Sequence, residues 1–233
     1  MSMLLNALIG LELAPVGLNS KTAALTKFRS SNKGNYVHVR FYSKAEGDNL
    51  NDSASRSRKE PSSEGESSLE KRLSEKSVLD AAKKWIGHGD ITETYSDLMC
   101  FQEGIKRWTA ADSDDHLFAA EVEVGIDKKL FNMPEEVVFV DTPGLHDPVK
   151  YRSKITEDYI GNANAVLVAV KPDALGEEAY KTVTTVLDYA GSNRKKVYII
   201  GTQQDKLATK DDYEQLIDGE DGWIQRLTES GHY

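Results

Sequence analysis

Apolar residues recur along this chain in two rhythms. In residues 2–10, SMLLNALIG, they fall at helical spacing, which predicts a helix carrying Leu4, Leu5, Leu8 and Ile9 on one face and stopping at Gly10. Residues 11–26 hold Pro15, Gly17 and Asn19 without a sustained period and read as a loop. YVHVRFY at 36–42 alternates, with β-branched and aromatic side chains, and predicts a strand. Residues 43–68 then carry almost no large apolar side chain, too few to offset the entropy of ordering, and are expected to form a disordered linker. Two helical patterns follow. SLEKRLSEKSVLDAAKKWIG places Leu69, Leu73, Val78, Leu79, Ala82 and Trp85–Ile86 on a stripe ending at Gly87. TETYSDLMCFQEGIKRW starts from a threonine cap and runs through Tyr95, Leu98, Met99, Phe101, Ile105 and Trp108. They read as a helical insertion, with Trp85 and Trp108 as packing residues.

From residue 117 the strand rhythm returns. LFAAEVEVGI alternates, while EEVVFV, AVLVAV and KKVYIIG are short continuous runs of the kind that make buried strands. Between and after them lie the helical segments YRSKITEDYIGNA, GEEAYKTVTTVLDYAG and KDDYEQLIDGEDGWIQRLTES, the last with a break at Gly219–Gly222. Strands alternating with amphipathic helices predict an α/β fold: a mostly parallel sheet with helices on both faces, whose ligands sit at the carboxyl ends of the strands.

Composition narrows the function classes. The chain has 233 residues, 39% hydrophobic, 8% aromatic and 29% charged, enough for one sizeable domain plus an insertion. A formal net charge of −9 argues against general nucleic-acid affinity, though not against a local phosphate site built from backbone N–H groups. A single cysteine, Cys100, rules out an intramolecular disulfide and a cysteine zinc site, and fits a reducing cytoplasm. The apolar runs are too short to span a bilayer.

Two strand ends carry candidate chemistry. VVFVDTPGL puts Asp141 at the end of an apolar strand, where a carboxylate is costly unless paired or near a metal, and Gly144 where a backbone N–H can approach a ligand. Asp-x-x-Gly at a strand end is how phosphate-hydrolysing switch proteins place a Mg²⁺-linked carboxylate and a γ-phosphate-sensing amide; the plain alternative is a turn that ends a strand. VYIIGTQQDKL places Thr202 and Asp205 after another strand, where a carboxylate can accept two N–H donors from guanine; the plain alternative is a polar loop with a helix cap. The spacing between the two ends suits the intervening βα units, so each reading supports the other.

The opening MSMLLNALIGLELAPVGLNSKTAALT, DTPG at 141–144, DYIGNANAVLVAVKPD and TQQD at 202–205 together resemble the G domain of dynamin-like GTPases of the bacterial type. The resemblance implies a three-layer P-loop NTPase-like fold, incomplete at both ends. It divides the chain into the start of the G domain (1–42), the linker (43–68), the helical insertion (69–116) and the remainder of the G domain (117–233). It implies GTP and GDP as ligands with Mg²⁺ as cofactor. Ser2 matches the last position of the Walker A motif, whose hydroxyl binds Mg²⁺, which sets Met1 where the phosphate-binding lysine belongs. Thr22 matches the switch I threonine that closes on Mg²⁺ and the attacking water, with Thr26 as a weaker alternative. Asp141 matches the outer-sphere Mg²⁺ carboxylate, Gly144 the γ-phosphate amide, and Thr202 and Asp205 the guanine-reading motif.

Departures from the family pattern set further expectations. Gln203 replaces the usual lysine of the guanine motif, and Leu145 stands where small Ras-like GTPases carry a glutamine; His146 beside it is a weak candidate. With no glycine loop ahead of Ser2, the chain is expected to be a fragment or to begin at a mispredicted start, and to bind and hydrolyse GTP poorly. The competing expectation is a nucleotide-independent interaction module, a pseudo-GTPase that docks through the 69–110 helices. A ribosome-assembly GTPase is disfavoured by the lack of a basic patch. Self-association through the G domain is implied, membrane contact only through regions outside this chain, and no nucleic-acid partner. The expected location is cytoplasmic, membrane-peripheral for the intact protein.

Overall fold

The computed structural model describes residues 2–14, 24–47, 76–109, 114–142, 150–170, 177–191, 196–202, 209–219 and 222–229. The chain divides into two units, 1–156 and 157–233.

The first unit is built on a five-stranded sheet in the order β3-β2-β4-β1-β5. Its strands are β1 (Leu25–Ser31), β2 (Asn35–Phe41), β3 (Ile91–Tyr95), β4 (Ala119–Asp127) and β5 (Val138–Asp141). Its helices are α1 (Ser2–Ile9), α2 (Lys76–Trp85) and α3 (Leu98–Thr109), with a 3₁₀ turn at Asp115–Phe118. Although only Asn32, Lys33 and Gly34 join β1 to β2, the two strands do not pair, because β4 lies between them. Gly34 takes φ +82 to make that tight link. The end of β4 is tied beneath it: Asn35 Oδ1 accepts from Asp127 N at 2.8 Å and Ser31 O from Lys128 N at 3.0 Å.

Strand direction differs from expectation. In this sheet β1 and β4 run parallel, whereas β2–β4, β2–β3 and β1–β5 are antiparallel. The faces differ as well. One face is apolar, with Phe28, Val37, Val39, Phe41, Val122, Val124 and Ile126 joined to Leu5 and Ile9 of α1, Val78 and Trp85 of α2, and Phe101, Ile105 and Trp108 of α3. The other face is polar: Lys27 pairs with Glu121 at 2.7 Å, Arg29 with Glu123 at 3.8 Å, and the Tyr36 hydroxyl donates to Glu123 at 2.6 Å. The strict alternation of YVHVRFY and AAEVEVGI explains this, since period two puts every second side chain on a wetted face. Within this unit the described helices therefore cover one face, not two.

Several local readings change. Residues 92–95, expected at the start of a helix, belong to β3, so Tyr95 is a strand residue and α3 begins at Leu98 behind the Asp97 carboxylate, which accepts from Cys100 N at 2.9 Å. β1 was not anticipated. Ser43–Gly47, assigned to the linker, form a helical turn closed by reciprocal Ser43–Glu46 bonds of 2.8 and 3.2 Å; the rest of the linker, 48–68, lies outside the described residues. On α1, Leu5 and Ile9 are buried but Leu8 is 47% exposed, so the apolar stripe is narrower than its four leucine and isoleucine positions suggested. Asn6 holds the exit from that helix, its Oδ1 accepting from Leu13 N and Ala14 N at 3.0 and 2.7 Å. Trp85 and Trp108 pack as expected: Phe41 stacks on Trp85 at 4.6 Å between centroids, and Trp108 meets both edge-on.

The second unit follows from α4 (Lys150–Asn162), a helix that crosses the boundary. It contains β6 (Val166–Val170), α5 (Glu177–Ala190), β7 (Val197–Gly201), α6 (Lys210–Asp218) and α7 (Trp223–Glu229). β6 and β7 pair in parallel across α5, the expected βαβ unit. Val183, Val186, Leu187 and Ala190 of α5 are buried with Val168, Val170 and Val197. Thr209 and Asp212 form a capping box for α6, and Gly219–Gly222 break the last helix pair as the sequence indicated. The short apolar runs are not buried throughout: Val138, Leu167 and Tyr198 stand out at 39%, 40% and 55% exposure.

Candidate functional site

Asp141 closes β5, and only 5% of it is exposed. Its position follows from strand direction. β5 runs antiparallel to β1, so its carboxyl end meets the amino end of β1, and Asp141 lies opposite Thr26. Phe139 and Asp141 share the apolar face with Phe28 and Thr26, whereas Val138 and Val140 share the polar face with Arg29 and Lys27. Thr26 is buried and donates from its hydroxyl to Ala24 O at 3.1 Å, which holds the entry into β1. The chain thus enters β1 at the same end of the sheet where β5 delivers Asp141. Asp141 is not an isolated charge; it is engaged within the chain.

In the second unit Thr202 comes directly after β7. Its amide and its hydroxyl both donate to Val170 O, at 2.8 and 3.1 Å. Thr202 therefore ties the end of β7 to the last residue of β6. Its hydroxyl hydrogen is committed to that carbonyl.

Ser2 is the first residue of α1, and nothing is described of its side chain. Thr22, Gly144, Leu145, His146, Gln203 and Asp205 lie outside the described residues. Of the residues expected to form the site, the structure thus brings Asp141 and Thr26 together.

Asp141 offers one buried carboxylate, and no group of three or more His, Cys, Asp or Glu side chains gathers among the described residues. A carboxylate oxygen is the donor type that a hard divalent cation such as Mg²⁺ takes.

A second polar constellation escaped the sequence reading. Arg107 bridges two carboxylates, Glu93 at 3.5 Å and Asp115 at 3.2 Å. Each also meets an indole: Trp85 Nε1 donates to Asp115 at 2.6 Å, and Trp108 Nε1 lies 3.5 Å from Glu93. The Tyr95 hydroxyl donates to Glu93 at 2.7 Å, and burial with that bond pushes the phenol well above its usual range. The only signal for it in the chain was the Glu93-x-Tyr95 strand spacing and the Arg107–Trp108 neighbours.

Comparison with known proteins bears on both regions. The family model described as "Dynamin family" matches residues 2–200, a span that holds Ser2, Thr22, Asp141 and Gly144 and ends before Thr202 and Asp205. Two solved structures of an oligomerised bacterial dynamin pair, described as a mechanism for long-range sensing and tethering of membranes, match with TM-scores of 0.64. Their identities to this chain are 19% and 20%, a likeness of fold. Each match covers 97% of this chain but only 28% and 29% of the relatives. No curated protein matches.

Proposed function

The chain belongs to the dynamin family, and on that premise we propose that it is the guanine-nucleotide-binding part of a GTPase G domain. Members of this family hydrolyse GTP to GDP and phosphate. The observation that carries the reading is Asp141: a buried carboxylate ending β5, opposite Thr26 at the point where the chain enters β1. In the proposed arrangement Asp141 holds a water of the Mg²⁺ shell, and Ser2 and Thr22 supply hydroxyl ligands. Thr22 also orders the attacking water, and the Gly144 amide meets the γ-phosphate. Thr202 pins the loop to Val170, and Asp205 accepts the guanine N–H donors. When bound, Mg²⁺ neutralises charge that builds on the phosphates.

The 233-residue polypeptide, taken by itself, is proposed to bind GTP weakly. Gln203 replaces the lysine that would lie along the base. Gln203 also favours a second reading, a nucleotide-independent interaction module. Self-association through the G domain, and membrane contact through regions beyond this span, are proposals from the likeness to the oligomerised pair. No helix among the described residues is long and apolar enough to cross a membrane. A cytoplasmic, membrane-peripheral location and the absence of a nucleic-acid partner are part of the same proposal.

Titration with a fluorescent GTP analogue, with and without Mg²⁺, tests the weak-binding claim; micromolar Mg²⁺-dependent binding overturns it. The G-domain reading is tested by joining a strand and a Gly-x-x-x-x-Gly-Lys loop to Ser2. GTP-over-ATP binding should then emerge, lose its Mg²⁺ dependence in Asp141→Ala and lose its base selectivity in Asp205→Ala. A folded chimera that stays silent favours the interaction module.

A further inference from the structure

The five-stranded sheet ends on β3, which pairs with β2 on one side and with no strand among the described residues on the other. Such an edge offers a row of backbone N–H and C=O groups to an incoming strand. β3 is Ile-Thr-Glu-Thr-Tyr: it has no proline, no lysine and no bulge in its pairing with β2, so its defences as an edge are its shortness and the Glu93 carboxylate.

A groove of about 430 Å³ runs between this strand and α3, lined by Glu93, Tyr95, Cys100, Glu103, Gly104 and Arg107. It is a built feature. The Tyr95 ring lies directly over Gly104, where a Cβ would sit 2.1 Å from the hydroxyl, so any larger residue there would displace the wall. Arg107, Trp108 and Tyr95 hold Glu93 in place. At the rim, Glu103 is exposed and has no cation at ion-pair distance among the described residues. Asp97 adds a further carboxylate, kept ionised because the Cys100 N–H bonds it. Arg107, itself paired with Glu93 and Asp115, is the one cation among the groove-lining residues, which also include the carboxylates of Glu93 and Glu103. Beyond them Leu98 and Met99 stand exposed at 38% and 66%.

We propose that the open edge of β3 and the groove beside it bind an extended peptide of another protein as a sixth strand, with a lysine or arginine side chain entering between Glu93 and Glu103. Strand addition would supply main-chain hydrogen bonds, and the groove takes alternate side chains on the helix face of the sheet. The excess of carboxylates selects a basic residue. Leu98 and Met99 select an apolar neighbour. A second copy of this chain fits worse: two β3 strands paired about a two-fold through Glu93 would set like charges face to face, between chains of net charge −9 each.

The test uses the full chain and a fluorescein-labelled peptide alternating lysine and valine, about as long as β3. Fluorescence anisotropy should saturate, and hydrogen exchange should slow at the β3 amides. A peptide of the same charge with alternate backbone amides methylated loses the strand bonds and should bind at least about tenfold more weakly, the loss expected from two net hydrogen bonds. Glu103→Gln, an exposed change checked by circular dichroism, should weaken the unmethylated peptide several-fold. Equal affinity for both peptides, or slowed exchange elsewhere than β3, overturns the proposal. So does sedimentation of the unliganded chain as a dimer with its β3 amides already protected.

Discussion

Trp85→Phe isolates one interaction that locks α2 to the 3₁₀ turn. Phe can keep the stack on Phe41, whose ring centre lies 4.6 Å from that of Trp85. What is lost is the indole N–H that reaches Asp115 Oδ1 at 2.6 Å, plus the outer part of the ring. A hydrogen bond to a charged acceptor is worth about 1.5–3 kcal/mol, and the low end applies because the Asp115 side chain is 23% exposed. The lost apolar area adds about 1 kcal/mol. Trp85→Phe should therefore cost about 2.5 kcal/mol, less than the roughly 3–5 kcal/mol of Trp85→Ala, which also opens a void against Trp108. The N–H share is separable. In a double-mutant cycle with Asp115→Ala, the coupling should be about 1.5 kcal/mol, because Arg107 still holds Asp115 when the indole is gone. The assay is urea unfolding followed by circular dichroism, read as midpoint shifts at constant slope. A coupling below about 0.5 kcal/mol would refute the reasoning and leave Trp85 as a packing residue only.

Single contacts elsewhere in the first unit carry their own expected outcomes. Ser30→Ala should stabilise the chain by about 1 kcal/mol, because the Ser30 hydroxyl is buried without a hydrogen-bond partner; the urea midpoint reports it. Burial, reinforced by the Glu123 carboxylate, pushes the Tyr36 phenol up to about 12, above its ordinary 10.0, so the folded state retains that proton longer than the unfolded one. The stability this represents is whole below pH 10 and lost as pH climbs through about 12; absorbance titration at alkaline pH should lose that late step in Tyr36→Phe. Gly125→Ala would put a Cβ 1.9 Å from the Tyr36 ring, so the ring must swing off and release Glu123; a drop in thermal midpoint and a lower Tyr36 pKa are the expected readings.

The sequence showed its helices and its apolar strands more clearly than its strand directions. α5, the break between α6 and α7, and the β6–β7 pair were legible because their apolar spacing and glycine stops are unambiguous. β1 was not, because its buried face is Thr26, Phe28 and Ser30, two of them small and polar. β3 was not, because Ile91, Glu93 and Tyr95 continue into a helical pattern without a proline or glycine to mark the change. The expected parallel sheet came from reading continuous apolar runs, while the alternation in β2 and β4 already described a sheet with one wetted face. Asp141 was visible as a costly residue at a strand end. Its meeting with Thr26 was not, since a cross-strand register depends on pairing between distant segments.

The place of β4 between β1 and β2 sets an order of events. Leu25 aligns with Glu121, and Val37 with Val124, so neither early strand has its central partner until residues near 121–127 have been synthesised. On a ribosome, β1 and β2 must wait through the whole 43–116 stretch before the sheet can close, and non-local closure of this kind is slow. Within that stretch α2, β3 and α3 are held by the sheet and its core, so length can vary only outside them. Closure entropy grows only with the logarithm of the loop, so doubling it costs about 0.6 kcal/mol. A lineage could therefore add residues between the Ser43–Gly47 turn and α2 at little thermodynamic cost, provided that the core side chains of α2 and α3 are kept and the three-residue link over the end of β4 stays short.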